Sequence, residues 1–235
     1  MTTVVPVFAR LKGRLSARSP LTLINTSLAL LVAYLIMRPE GLVGAYLKRE
    51  RQSAAQRASI ARTWGELISE GGYLGASATN SSELVEFSDY QCPFCKRLQA
   101  RLDTLFVKEP RLVVRFRHFP IGGHAYARSA ALASICAEAQ ARFASFHRRL
   151  FTVTRWDREP NWPKEAQAAG VRDLRAFRHC LADATTVRRL NRDLALAESL
   201  GVTATPTVFG QNGRLQGFAS DSALLQLAAG QHQRD

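Results

Sequence analysis

Hydrophobic and polar positions change their period several times along the chain. Leu21 to Met37 (LTLINTSLALLVAYLIM) has no polar face: it carries no charge and is bounded by Pro20 and by Arg38-Pro39. At about 1.5 Å per residue it reaches about 26 Å, near the lower limit for a membrane-spanning helix. Three readings compete: an uncleaved signal anchor, a cleaved signal peptide and a buried core helix. Cleavage normally requires small residues just beyond the apolar run, and Arg38-Pro39-Glu40 follows here, with Val43-Gly44-Ala45 a poor and distant substitute. A core helix should not be apolar on every face with basic residues at both ends. The pattern therefore favours the anchor, with residues 1–20 a basic tail before it.

From Ala45 to Glu70 the period becomes helical, with Ala54, Ala58, Ala61, Trp64 and Ile68 at spacings of three and four. Residues 38–73 read as a juxtamembrane helical stalk, or a helix packed on the C-terminal domain. The Gly71-Gly72 pair ends it, and Gly75 to Ser82 is a polar connector. A domain over residues 74–230 then opens with a short strand, Glu83–Ser88, followed by a helix over Pro93–Phe106 with Leu98, Leu102, Leu105 and Phe106 on one face. Leu112–Phe119 alternates apolar Leu112, Val114 and Phe116 with Arg115 and Arg117, a strand pattern. Residues 123–200 read as a helical insertion, broken by a loop containing Trp156, Pro160, Trp162 and Pro163. Two strands, Thr207–Phe209 and Leu215–Phe218, follow around a Gln211-Asn212-Gly213 turn. A helix over Ser220–Ala229 closes the chain. There is no internal repeat.

Composition narrows this picture. A chain of 235 residues with 46% hydrophobic content supplies a core, and four cysteines are too few for a disulfide-dense miniprotein. The net charge of +13 raises the possibility of nucleic acid. The arginines, however, are scattered through helical stretches with acids between them, and no basic run is interleaved with aromatics. The charge reads as a solvated surface, and no nucleic-acid partner is expected.

The chemistry is carried by Cys92-Pro93-Phe94-Cys95, at the junction of a strand and a helix. A helix N-terminus has amides without partners and about half a positive charge, so a thiolate at Cys92 is stabilised there. Pro93 suits the first helical position. Cys95 falls one turn in, close enough to form a disulfide with Cys92. Half a zinc site and two inert thiols are the alternatives; the strand–CPFC–helix context favours a redox switch.

The order strand, helix, strand, helical excursion, hairpin and last helix is that of a thioredoxin fold with a helical insertion, an α/β architecture. The runs LVEFSDYQCPFC, RFRHFP, AALASICAEAQARFASFHRRLF and GVTATPTVF together resemble the DsbA-like thiol–disulfide oxidoreductases of bacteria, over about residues 74–230. The resemblance implies an enzyme that exchanges disulfides with protein thiols and disulfides, without cofactor or metal, recycled by a membrane redox partner. Cys92 would attack and Cys95 resolve. Phe94, also facing substrate, stands where the best-known oxidases have histidine, which implies a weaker oxidant. Glu86 matches a buried acid that handles the proton of the resolving cysteine; otherwise it lies on the solvent face of an edge strand. Asp89 and Tyr90 would shape the turn. Thr205-Pro206 matches the cis-proline corner, where the backbone of Thr205 pairs with a substrate strand.

Such chemistry belongs in an oxidising compartment. Basic residues flanking Leu21–Met37 are tied, with Arg10, Lys12, Arg14 and Arg18 before it and Arg38, Lys48, Arg49 and Arg51 after it. The compartment breaks the tie: the tail is cytoplasmic, the anchor crosses the inner membrane, and the domain lies in the periplasm or extracytoplasmic space. Cys136 and Cys180, in two different helices of the insertion, are two buried thiols, a structural bridge, or with His179 part of a metal site; an oxidising compartment favours the bridge. A reductase or isomerase of the same fold, and a non-catalytic peptide-binding module, are the competing functions.

Overall fold

The computed structural model describes residues 20–38, 41–76, 81–152, 158 and 160–230. The chain divides into two compact units, Met1–Ser53 and Ala54–Asp235. In the first, helix α1 (Pro20–Met37) exposes Leu28, Leu30, Leu31 and Met37. It lies within the one helical region among the described residues that is long and apolar enough to cross a membrane. Helix α2 (Leu42–Ser69) comes next and runs across the division.

In the second unit a five-stranded sheet has the order β1-β3-β2-β4-β5. Its strands are β1 (Gly72–Leu74), β2 (Ser82–Ser88), β3 (Leu112–His118), β4 (Thr207–Gly210) and β5 (Gly213–Gln216). β2 and β3 run parallel, with Glu86 opposite Phe116 and Ser88 opposite His118, whereas β4 is antiparallel to β2. Parallel strands need a crossover, supplied here by α3 (Pro93–Lys108). The helical excursion resolves into α4 (Ala127–Glu138), α5 (Phe143–Thr152), α6 (Trp162–Ala168), α7 (Leu174–Ala182) and α8 (Ala184–Ser199), and α9 (Asp221–Ala228) comes after the hairpin.

β2 is central and buried on both faces, which explains why its sequence shows little alternation. Leu84 packs with Cys95, Leu98 and Leu102 of α3 and with Phe116. On the other face Val85, Phe87 and Phe209 meet Leu196 and Ala197 of α8 and Ile60 and Leu67 of α2. Residues 54–69, read from the sequence as a stalk or a helix packed on the domain, place Ile60 and Leu67 in that core.

The strand β1 was not read from the sequence. Three residues are too short for a visible period, and their pairing with β3 is decided by contact. Gly71 adopts φ +108°, and a Cβ at Gly72 would collide with the Phe143 ring, so the pair both ends α2 and lets the chain pass beneath α5. Arg117 fixes the same junction. Its guanidinium is buried, donates to the Leu67 carbonyl at 2.8 and 3.1 Å, and pairs with buried Asp193 of α8 at 2.9 Å. It thereby satisfies carbonyls that the end of α2 leaves unpaired. The sequence reading placed Arg117 on a polar strand face; burial is tolerated because the charge is paired.

Candidate active site

Cys92 is the N-cap of α3, with Pro93 at the first helical position. Other helices cap themselves with side-chain oxygens. Asp173 of α7 accepts from the amides of Arg175 and Ala176, and Ser220 of α9 accepts from that of Ala223. Cys92 makes no such side-chain bond, so its sulfur faces amides that nothing else claims. Both cysteines are free thiols.

Their environments push them in opposite directions. The Cys92 thiol is lowered to about 5, first by the hydrogen bond from Cys95, then by Thr205 and the backbone amides of Cys95 and Phe94, against the cost of burial. Burial pushes the Cys95 thiol far upward, and the neighbouring Cys92 and Glu86 raise it further. One sulfur is a ready thiolate and the other holds its proton. Cys92 is only 4% exposed, more enclosed than the open helix tip the sequence suggested. The Thr205 carbonyl lies 3.5 Å from its sulfur.

Glu86 lies on β2 and is 1% exposed, not on a solvent-facing edge. Burial raises its carboxyl to about 7, with the Cys92 charge adding to the shift. Ser88 beside it offsets part of that rise, and among the described residues neither the Glu86 Oε2 nor the ring nitrogens of His118 on the same sheet face have a hydrogen-bond partner. A carboxyl that titrates near neutrality can both give and take a proton.

The Thr205–Pro206 peptide is cis, and both residues are buried. In its protonated form the Cys92 Sγ donates to the Thr205 carbonyl at 3.5 Å, bringing together residues 113 positions apart. The Gly217 amide donates to the Pro206 carbonyl at 2.8 Å, which ties the segment after β5 to the same corner.

The turn ahead of Cys92 is held from below. Asp89 accepts from the amides of Gln91 (2.7 Å) and Ile121 (2.8 Å) and pairs with His124 Nδ1 at 2.8 Å. Gln91 Oε1 accepts from the Tyr126 amide at 2.6 Å. A buried chain then leads into the insertion. Gln99 Nε2 donates to Asp103 at 2.9 Å, so its Oε1 accepts from His147 Nε2 at 2.7 Å. His147 Nδ1 therefore accepts from the Tyr90 hydroxyl at 3.3 Å, and Tyr90 accepts from Ser134 at 2.8 Å. Burial keeps His147 neutral, its basicity lowered well below the usual range. Sequence reasoning gave Asp89 and Tyr90 a shaping role; it missed Gln91, Gln99, Ser134 and His147, whose partners lie on other elements.

Phe94 is half-exposed, and Arg97 lies over its ring at 4.5 Å. Cys136 of α4 and Cys180 of α7 form a disulfide of 2.02 Å. His179 is exposed, and among the described residues no group of three or more potential ligands is placed to hold a metal. Trp162 is buried in the core; Trp156 lies outside the described residues.

Residues 83–228 match the family model described as DSBA-like thioredoxin domain. Among solved structures the chain is similar to a thioredoxin-like oxidoreductase from Silicibacter pomeroyi (TM-score 0.63, 25% identity, 70% of this chain and 95% of that one). It also shares its fold with the thiol-disulfide exchange protein alpha-DsbA2 of Wolbachia pipientis (TM-score 0.65, 20% identity, 76% and 97%). A curated relative, the Na(+)/H(+) antiporter NhaA 3 of Salinispora tropica, is 32% identical over 132 residues, 56% of this chain. The chain spans only 20% of that protein's length.

Proposed function

The chain belongs to the DSBA-like thioredoxin domain family, and on that premise we propose that it is a membrane-anchored thiol–disulfide oxidoreductase acting on protein substrates outside the cytoplasm. The observation that carries this reading is the opposed acidity of the two sulfurs, with Cys92 held against the Thr205 carbonyl at 3.5 Å. In the oxidising direction a substrate thiolate attacks Cys92 Sγ of the oxidised pair. The Cys92–Cys95 bond breaks, and Cys95 leaves as a thiolate that takes a proton from Glu86. The substrate's second thiolate then attacks its own mixed-disulfide sulfur, and Cys92 leaves as the stabilised thiolate. The substrate has lost two electrons and the pair has gained them. A membrane redox partner takes them back. Thr205 binds the substrate backbone as an added strand beside Pro206.

The apolar α1 supports anchoring, with residues 1–20 cytoplasmic and the domain in the periplasm or extracytoplasmic space. A reductase or isomerase role is the neighbouring reading, favoured by Phe94, which offers the Cys92 sulfur no side-chain donor. Two measurements on the full chain test the proposal. Cys95→Ala should trap mixed disulfides with exported proteins while Cys92→Ala traps none, and equal trapping would refute the assignment. A reporter fused after Asp235 should work only as an exported type; activity of a cytoplasmic type would reverse the topology.

A further inference from the structure

Phe94, Arg97 and Arg101 are spaced by three and four residues, so they share one face of α3, beside the buried stripe of Cys95, Leu98 and Leu102. Phe218, half-exposed, joins them from the segment whose Gly217 is tied to Pro206. The four side chains interleave. Arg97 lies 4.5 Å from the Phe94 centroid and 5.8 Å from that of Phe218, and Arg101 lies 4.6 Å from Phe218. Arg101 has its carboxylate, Asp221 at 2.5 Å. Arg97 is exposed and has none among the described residues, and the first turn of α3 contains no acid.

A guanidinium stacked between rings keeps its in-plane N–H fork free for a carboxylate. We propose that this ladder is a substrate-selecting surface whose occupant is an extended polypeptide with a carboxylate side chain near its reacting cysteine. The inference rests on the exchange reading above and adds a substrate class to it. Arg97 lies five residues beyond Cys92, about 7.5 Å along the helix. An extended chain advances about 3.3 Å per residue, so the carboxylate belongs two residues from the cysteine, on the same side of the strand. The flanking rings take the apolar side chains around it. Position beside Cys92 and Pro206 favours a polypeptide over a lipid surface.

The test uses the oxidised full chain in detergent and dithiol peptides with Glu, Gln or Lys two residues from the first cysteine. Each rate is divided by that of the same peptide with glutathione disulfide, which removes the effect of the neighbour on the thiol itself. The Glu peptide should outpace the Lys peptide by on the order of tenfold at low salt, and the ratio should shrink as salt rises. Arg97→Gln should level the series and Arg97→Glu should invert it, each read as the ratio of the Glu to the Lys peptide within one variant. A wild-type chain that oxidises all three peptides equally, or a preference that survives Arg97→Glu, would overturn the inference and leave the exchange reading intact. Failure to oxidise any peptide would sink both.

Discussion

The domain holds two cysteine pairs, and the bridged one is the less enclosed, with Cys136 buried and Cys180 only partly so. Cys136 and Cys180 join two helices across 44 residues of sequence, with the Thr186 hydroxyl donating to the Cys180 carbonyl at 2.7 Å beside them. Cys92 and Cys95 sit within one turn and are free thiols, 4% and 0% exposed. Greater exposure therefore does not mark the reactive pair. The difference lies in what surrounds the sulfur. Cys92 has unclaimed amides at a helix start, and Cys95 has a buried carboxyl nearby. In the proposed exchange, the helix end acts on Cys92 and the buried acid on Cys95.

The largest effect expected from this contrast is at Cys92. Cys92→Ser should lower disulfide exchange by about a thousandfold or more, because the proposed mixed disulfide forms through the Cys92 sulfur. Loss of Cys136–Cys180, by changing both residues to Ala, should leave the Cys92 titration in place and lower stability by about 3–4 kcal/mol in the chain-entropy account of a 44-residue loop. Denaturant unfolding together with thiolate absorbance would read both. If exchange fell with the bridge, the two pairs would not be separable.

Titration sharpens the contrast next. Glu86 is raised from 4.5 to about 7, so the fold favours its protonated form. That stability is present below pH 4.5 and is lost as pH rises toward 7, by about 3 kcal/mol if the whole shift is realised. Glu86→Gln should remove this slope, raise stability above pH 7 and slow the step in which Cys95 gains or loses its proton. Cys92 has the opposite sign. Its thiol is lowered from 9.0 to about 5, so the reduced protein should gain stability relative to the oxidised one from pH 5 to 9, and lose it below. Unfolding of both redox forms across that range isolates the effect, and parallel curves would contradict it. The smallest expected change is at Phe94. Phe94→His adds a donor near Cys92 and should raise the reduction potential by about 30 mV or more, measured against a glutathione buffer.

Several features were legible because they are local. Pro93 after a cysteine and the three-and-four spacing of Leu98, Leu102 and Leu105 each state their own conformation through backbone sterics and periodicity, whereas the hairpin turns on Gln211-Asn212, with Gly213 already in β5. The run from Leu21 to Met37 likewise has no polar face to hide. The burial of Glu86 and the cis bond at Pro206 were anticipated only through resemblance, since neither an acid in a strand nor a proline before one reveals its neighbours.

Tertiary structure decided the rest, because the interactions concerned join residues far apart in sequence. Thr205 meets Cys92 across 113 positions, and Arg117 reaches back 50 residues to cap α2. The Tyr90–His147–Gln99 chain draws on three elements. Burial of Glu86 depends on β2 lying between β3 and β4, a placement no local pattern encodes. The sequence by itself determined where the reactive sulfur sits on its helix. Only folding could set its acidity and that of its partner, since a pKa is fixed by the desolvation and charges that distant segments bring to the site.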